Sequence, residues 1–206
     1  MIVDSMTKEE IRKEYIADLP GIKKKTMYLY EALKCRRAII QTKHFPLHFK
    51  PTEHISSRKN NYFISFVSTS KKDIKLGPIE SDFLYYHRPE GIYAATIDYD
   101  SLCITIYSPH FFDRYRERYL KDTSIPKLEV IKEYFKYNST IRRTRDTRLS
   151  ADGICGTSMH GAVLGIEESH EVHLFKTFVS FEMLKEDQNK THDFLYDKLI
   201  DFWNEI

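Results

Sequence analysis

Leu102-Cys103-Ile104-Thr105-Ile106-Tyr107-Ser108-Pro109-His110-Phe111-Phe112-Asp113-Arg114-Tyr115-Arg116-Glu117-Arg118 changes its period in the middle, and that change decides the fold class. Up to Tyr107 the apolar residues Leu102, Ile104 and Ile106 alternate, as on a half-buried strand. Beyond it Phe111, Tyr115 and Tyr119 recur four apart, as on a helix. Ser108 suits the N-cap, and Pro109 suits the first helical turn, where its missing N–H is not needed. The spacing predicts a strand and then a helix over residues 110–121.

Working outward toward the C-terminus, a second helix follows Pro126, with Leu128, Ile131, Tyr134 and Phe135 as its buried face. Strands are expected over residues 141–149, 153–157, 162–166 and 172–179, with turns at 158–161 and 167–169. A last helix or two spans 181–203. Toward the N-terminus, 92–97 and 102–107 form a hairpin around Asp98-Tyr99-Asp100-Ser101, and 83–86 and 62–67 read as further strands. The prolines of 45–51 imply an extended connector. A helix over 24–41 would turn Met27, Tyr30, Leu33 and Ala38 inward. Thr7 with Glu10 forms a capping box that opens a first helix, expected to stop at Leu19-Pro20-Gly21. The chain thus reads as an α+β protein. An N-terminal helical segment, 1–55, packs on a 56–206 core made of an antiparallel β-sheet, a His/Arg-bearing helix lying on it, and a C-terminal helix.

With 206 residues, 41% hydrophobic and 30% charged, the chain can bury a core without metal or disulfide help. The 14% aromatic share favours a sheet-rich interior. Cys35, Cys103 and Cys155 form no CxxC pair, which suits reduced thiols and a cytoplasmic location. No basic-then-apolar leader opens the chain and no membrane span is apparent, so no membrane partner is expected. His44, His48 and His54 lack an obvious fourth ligand, and no metal or cofactor is expected. His170 and His173 would point to opposite faces of one strand. Cys103 reads as a small buried hydrophobe, and Tyr85, Tyr86 and Tyr93 as core. No nucleotide-binding, zinc-protease or hydrolase signature occurs.

His110, Arg114 and Arg118 lie four apart and line one helix edge beside the apolar stripe. The positive end of the helix disfavours a protonated His110, leaving a neutral imidazole able to accept a proton near pH 7. Arginines clamp phosphate bidentately. A base with two such clamps is suited to metal-free RNA cleavage, the base activating a 2′-hydroxyl and the arginines holding the phosphorane charge. Arg142, Arg143, Arg145 and Arg148 add a second basic run, while the tail from Phe181 is acidic. That asymmetry suits a nucleic-acid groove, and equally suits pairing within the molecule.

The order from Ser108-Pro109-His110 through Arg118, then the helix 128–137, then a strand ending Leu174-Phe175-Lys176-Thr177-Phe178-Val179, resembles the small ribonuclease-toxin superfamily that includes RelE-like and colicin-like nucleases. The resemblance covers residues 108–180. It implies two helices followed by an antiparallel sheet, and a site of His110, Arg114 and Arg118 with Lys176 and Thr177 as sheet partners. It also implies RNA as substrate and a neutralising protein partner. Two other readings are a non-enzymatic module docking nucleic acid or an acidic partner, and an accessory protein of a phage-like or mobile element with no catalytic site.

Overall fold

Thr7 Oγ1 accepts from the Glu10 N–H at 3.2 Å, and the Glu10 carboxylate accepts from the Thr7 N–H at 2.7 Å. This reciprocal cap opens α1 (Lys8–Ala32), which runs straight through Pro20 rather than stopping there. Ile11, Tyr15, Leu19, Ile22 and Leu29 form one buried stripe along its length. Burial of five such side chains outweighs the ~3 kcal/mol that an interior proline costs. The break comes later, where Lys34 takes left-handed angles, φ 52°, and α2 (Cys35–Gln41) begins. The helical pair exists, with its joint at residues 33–34. Met27 and Leu33 are exposed, and Ile22, Thr26, Leu29, Cys35 and Ile39 point inward instead, in phase with the stripe begun at Ile11.

The structure is a computed structural model that describes residues 1–184 and 186–205, with 186–189 and 202–205 described by backbone alone. After α2 come β1 (Leu47–His48), β2 (Thr52–Ile55), β3 (Asn61–Ser68), the single turn α3 (Asp73–Leu76), β4 (Ile79–Arg88), β5 (Gly91–Ile97) and β6 (Ile104–Tyr107). Then follow α4 (Pro109–Tyr115), a π-helical turn (Arg116–Leu120), α5 (Lys127–Tyr137), β7 (Arg142–Arg145), β8 (Gly153–Ser158), β9 (Gly161–Ser169) and β10 (Val172–Ser180). The helix expected over 181–203 is a short 3-10 turn, Phe181–Met183, followed by α6 (Glu186–Glu205), and Lys185 lies outside the described residues. No helix among the described residues is long and apolar enough to cross a membrane.

The ten strands among the described residues join one sheet in the order β1-β3-β4-β5-β6-β10-β9-β8-β7, with β2 sharing the outer edge of β3. The α+β class stands, but the sheet is mixed. Every pairing is antiparallel except β6 with β10, where Thr105 lies opposite His173 and Tyr107 opposite Phe175. The chain leaves β6, builds two helices and three strands, and returns in the same direction, so that seam is parallel.

Both faces of the sheet are covered. On one, α1 packs against Tyr62, Ile64, Leu84, Ile104, Ile106 and Leu174. Tyr15 OH donates to Asp82 Oδ2 at 2.6 Å and Tyr62 OH to Asp18 Oδ2 at 3.0 Å, docking the helix by its polar groups as well. On the other face, Phe111, Phe112 and Tyr115 of α4 and Val130, Ile131, Tyr134 and Phe135 of α5 enclose Phe63, Phe83, Tyr107, Phe175 and Phe178. β6 is therefore buried on both sides, not one. Tyr85 and Tyr86 are core residues on opposite faces.

The sheet curls strongly beyond the seam. β7 lies four strand steps from β6, ~19 Å in a flat sheet, yet Arg143 Nη2 is 3.9 Å from Cys103 Sγ, which directly precedes β6. Register shifts in the β9–β10 pairing at Val172/His173 and Phe175/Thr177 supply bending and twist there.

Candidate functional site

The helix α4 starts as its sequence requires. Ser108 accepts from the Phe111 N–H at 3.3 Å, and Pro109 occupies the first turn. Phe111, Phe112 and Tyr115 are fully buried, which rolls His110 outward. The helix then widens into the π turn, which carries Arg118 off a straight stripe.

β6 pairs with β10 only as far as Phe175. Past that point no strand among the described residues lies beside the β6-side edge of β10, and α4 with its π turn lies there instead. Ser108 Oγ donates to the Lys176 carbonyl at 3.3 Å, and Arg118 Nη1 donates to the Phe178 carbonyl. These side chains do for β10 what a neighbouring strand would otherwise do. The helix and π turn that carry His110, Arg114 and Arg118 thus lie along the stretch of β10 that includes Lys176 and Thr177, and Lys176 is exposed. Arg114 Nε donates to His110 Nε2 at 3.2 Å, and Arg114 Nη1 pairs with Glu117 Oε2 at 2.7 Å. Arg118 is the more committed of the two arginines. Partial burial and the nearby Arg114 charge both lower its pKa from the ordinary arginine value.

The second basic run does not join this seam. Arg143 and Arg145 share one face of β7 and line a cavity of about 530 Å³ on the curled part of the sheet, together with Cys103, Glu167, His170 and His173. Arg145 is held bidentately by Glu167 at 2.7 and 2.8 Å. Arg148 grips Asp146 through two 2.7 Å contacts and reaches Thr191 of α6 at 3.1 Å. Arg142 lines an adjoining cavity of about 370 Å³ that also includes Asp98, Asn138 and Arg143. Intramolecular pairing thus accounts for Arg145 and Arg148. His170 and His173 do not diverge. His170 sits in the β9–β10 turn, the register shift follows Val172, and both histidines line the same cavity.

Two groupings were not visible in the sequence. Cys103 Sγ lies 3.4 Å from His173 Nδ1, seventy positions away in the chain; only the β6–β10 register would have revealed it. The other centres on His160, which the sequence places in a plain turn. Its Nδ1 accepts from Tyr115 OH at 2.9 Å and from Asn138 Nδ2 at 3.2 Å, and its ring lies 4.0 Å from that of Tyr119. Burial pushes the imidazole down to about 4. Tyr119, expected inside, is 40% exposed and covers this ring. Of the three early histidines, His48 Nδ1 meets the Lys136 carbonyl of α5 at 2.8 Å, and among the described residues no group of three or more His, Cys, Asp or Glu is gathered as a metal site.

The fold and seam together describe an α+β protein whose mixed sheet carries a His–Arg helix edge, with His110 exposed and Arg114 and Arg118 half-buried. Comparison with protein-family models, curated proteins and solved structures finds no match for the chain.

Proposed function

We propose that the protein binds RNA along the seam between α4 and β10 and cleaves it without a metal ion. One observation carries this reading. Over residues 109–180 two helices are followed by four antiparallel strands, β7-β8-β9-β10, with the His/Arg helix laid along the last strand. That is the order of elements the resemblance implies, and Lys176 and Thr177 fall on that last strand.

His110 Nε2 accepts a hydrogen bond from Arg114, so this nitrogen presents a lone pair. When a phosphate takes the place of Glu117, the Arg114 guanidinium turns to its oxygens. The exchange is cheap, because an exposed pair of this kind is worth about 0–1 kcal/mol. His110 is then released to take the proton of a 2′-hydroxyl. The 2′-oxygen attacks phosphorus, the 5′-oxygen leaves and is protonated from solvent, and a 2′,3′-cyclic phosphate remains. Arg114 and Lys176 hold the charge of the phosphorane, with Thr177 positioned alongside and Arg118 anchoring the helix edge. A neutralising partner would cover this same edge.

The test is cleavage of total RNA in the presence of a chelator. Wild type should cut, and His110→Ala should lose about 10²-fold or more in rate while still binding RNA. Arg114→Ala should lose binding as well as rate. A wild-type protein that neither cuts nor binds RNA ends this reading.

A further inference from the structure

Cys103 and His173 belong to different halves of the sheet and meet where β6 and β10 run parallel. Cys103 immediately precedes β6, and His173 lies opposite Thr105, so both side chains project from the sheet face that carries Tyr107 and Phe175. The sulfur lies 3.4 Å from His173 Nδ1 and 3.9 Å from Nε2. Arg143 comes over the curled sheet to within 3.9 Å of the same sulfur. Cys103 is only 4% exposed, yet it faces the 530 Å³ cavity, so a small molecule entering that space meets the thiol.

The approach to Cys103 is built with care. Leu102, just before it, has φ 55°, an uncommon conformation for a branched side chain. Arg12 of α1 holds it there, with Nε donating to the Leu102 carbonyl at 2.7 Å and Nη2 pairing with Glu171 at 2.8 Å. One buried arginine thereby ties the turn before Cys103 to the turn before His173. The other cavity arginine, Arg145, is occupied by Glu167, which leaves Arg143 as the guanidinium aimed at the sulfur.

We propose that Cys103 and His173 form a nucleophilic thiol–imidazole pair, and that Arg143 selects small electrophiles carrying a carboxylate or phosphate group. Burial lifts the Cys103 thiol above its ordinary value, so at rest it keeps its proton. Burial and Arg143 together lower His173, which keeps the imidazole neutral and able to accept. Attack therefore runs by general base: Nδ1 takes the Sγ proton and the sulfur electron pair forms a bond to the electrophilic carbon. The leaving group departs with the electrons of the broken bond, and the imidazolium then returns its proton to that group or to solvent. Arg143 binds the anionic end of the incoming molecule and orients its carbon toward sulfur.

This site is separate from the RNA seam, and its test uses no RNA. The folded full-length protein is treated with iodoacetate and, separately, with iodoacetamide, and each cysteine is followed by peptide mass spectrometry. In both reactions a C–S bond forms, the C–I bond breaks and iodide leaves. Cys103 should be modified at least tenfold faster than Cys35 and Cys155, which are also buried. Its preference for iodoacetate over iodoacetamide, referred to the same ratio in the urea-unfolded chain, should exceed one. Arg143→Gln, at an exposed position, should bring that ratio back toward one, and His173→Gln should slow both reagents at Cys103. Equal rates at the three cysteines, or a preference unmoved by Arg143→Gln, would overturn the proposal. If His173→Gln fails to fold, the charge preference and its loss in Arg143→Gln decide the matter alone.

Discussion

His160 shows how one side chain can join three elements. Its Nδ1 accepts from Tyr115 at the end of α4 and from Asn138 at the end of α5, while its backbone N–H donates to Asn138 Oδ1 at 3.1 Å from the β8–β9 turn. The two bonds at Nδ1 require the neutral imidazole, and its pKa is depressed to about 4. An unfolded histidine takes up a proton near pH 6.5, whereas the folded one resists to about 4, so stability from this group is complete above 6.5 and drains away as pH falls toward 4. With the ring partly open to solvent, the loss should reach about 2 kcal/mol. His160→Gln can still accept from Tyr115 but does not titrate. Urea unfolding of both proteins at pH 7 and pH 4.5 should show the gap between them shifting in favour of the variant at the lower pH. The sequence held no sign of this, because Tyr115, Asn138 and His160 sit on separate elements and their convergence depends on packing.

At the scale of elements, most starts were legible and several stops were not. The Thr7–Glu10 cap and the Ser108-Pro109 start are local chemistry, and both appear as read. Pro20 was a local signal overruled by a long-range one, the buried stripe from Ile11 to Leu29. Its cost remains in the molecule. Pro20 is exposed, so Pro20→Ala would restore an N–H to the Ile16 carbonyl without disturbing the core, and should raise stability by about 2 kcal/mol in urea unfolding. No gain would mean that the helix already relieves the proline by local distortion. The alternation of β6 suggested one wet face, because a single strand cannot report what its sheet will be sandwiched between. The candidate stripe was legible as a spacing, but the role of Arg118 on β10 was not, since the missing strand neighbour of β10 is a property of the sheet and not of the helix.

Across the whole molecule the governing feature is the curl that brings β7 back over the seam. It depends on close backbone packing between β9 and β10. A Cβ on Gly165 would lie 2.1 Å from the Leu174 carbonyl oxygen, against backbone that cannot turn aside. Gly165→Ala should therefore cost more than about 3 kcal/mol and lower the melting temperature sharply. A mild effect would show that the two strands can separate without loss of the fold. The same substitution should slow iodoacetate at Cys103, because Arg143 reaches the sulfur only across the curled sheet. The parallel register was beyond the reach of sequence patterns, since the returning strand is separated from its neighbour by two helices and three strands.

That seam divides the sheet into two antiparallel blocks, residues 47–107 and 142–180, which share a single line of hydrogen bonds. As the chain leaves the ribosome, the first block can form before the second has been synthesised, with β6 waiting as an open margin. Cys103 stands on one bank and His173 on the other. Their encounter is thus a report on assembly: the thiol gains its partner only when the last strand has zipped into place, and a chain halted short of residue 172 carries a cysteine with no imidazole beside it.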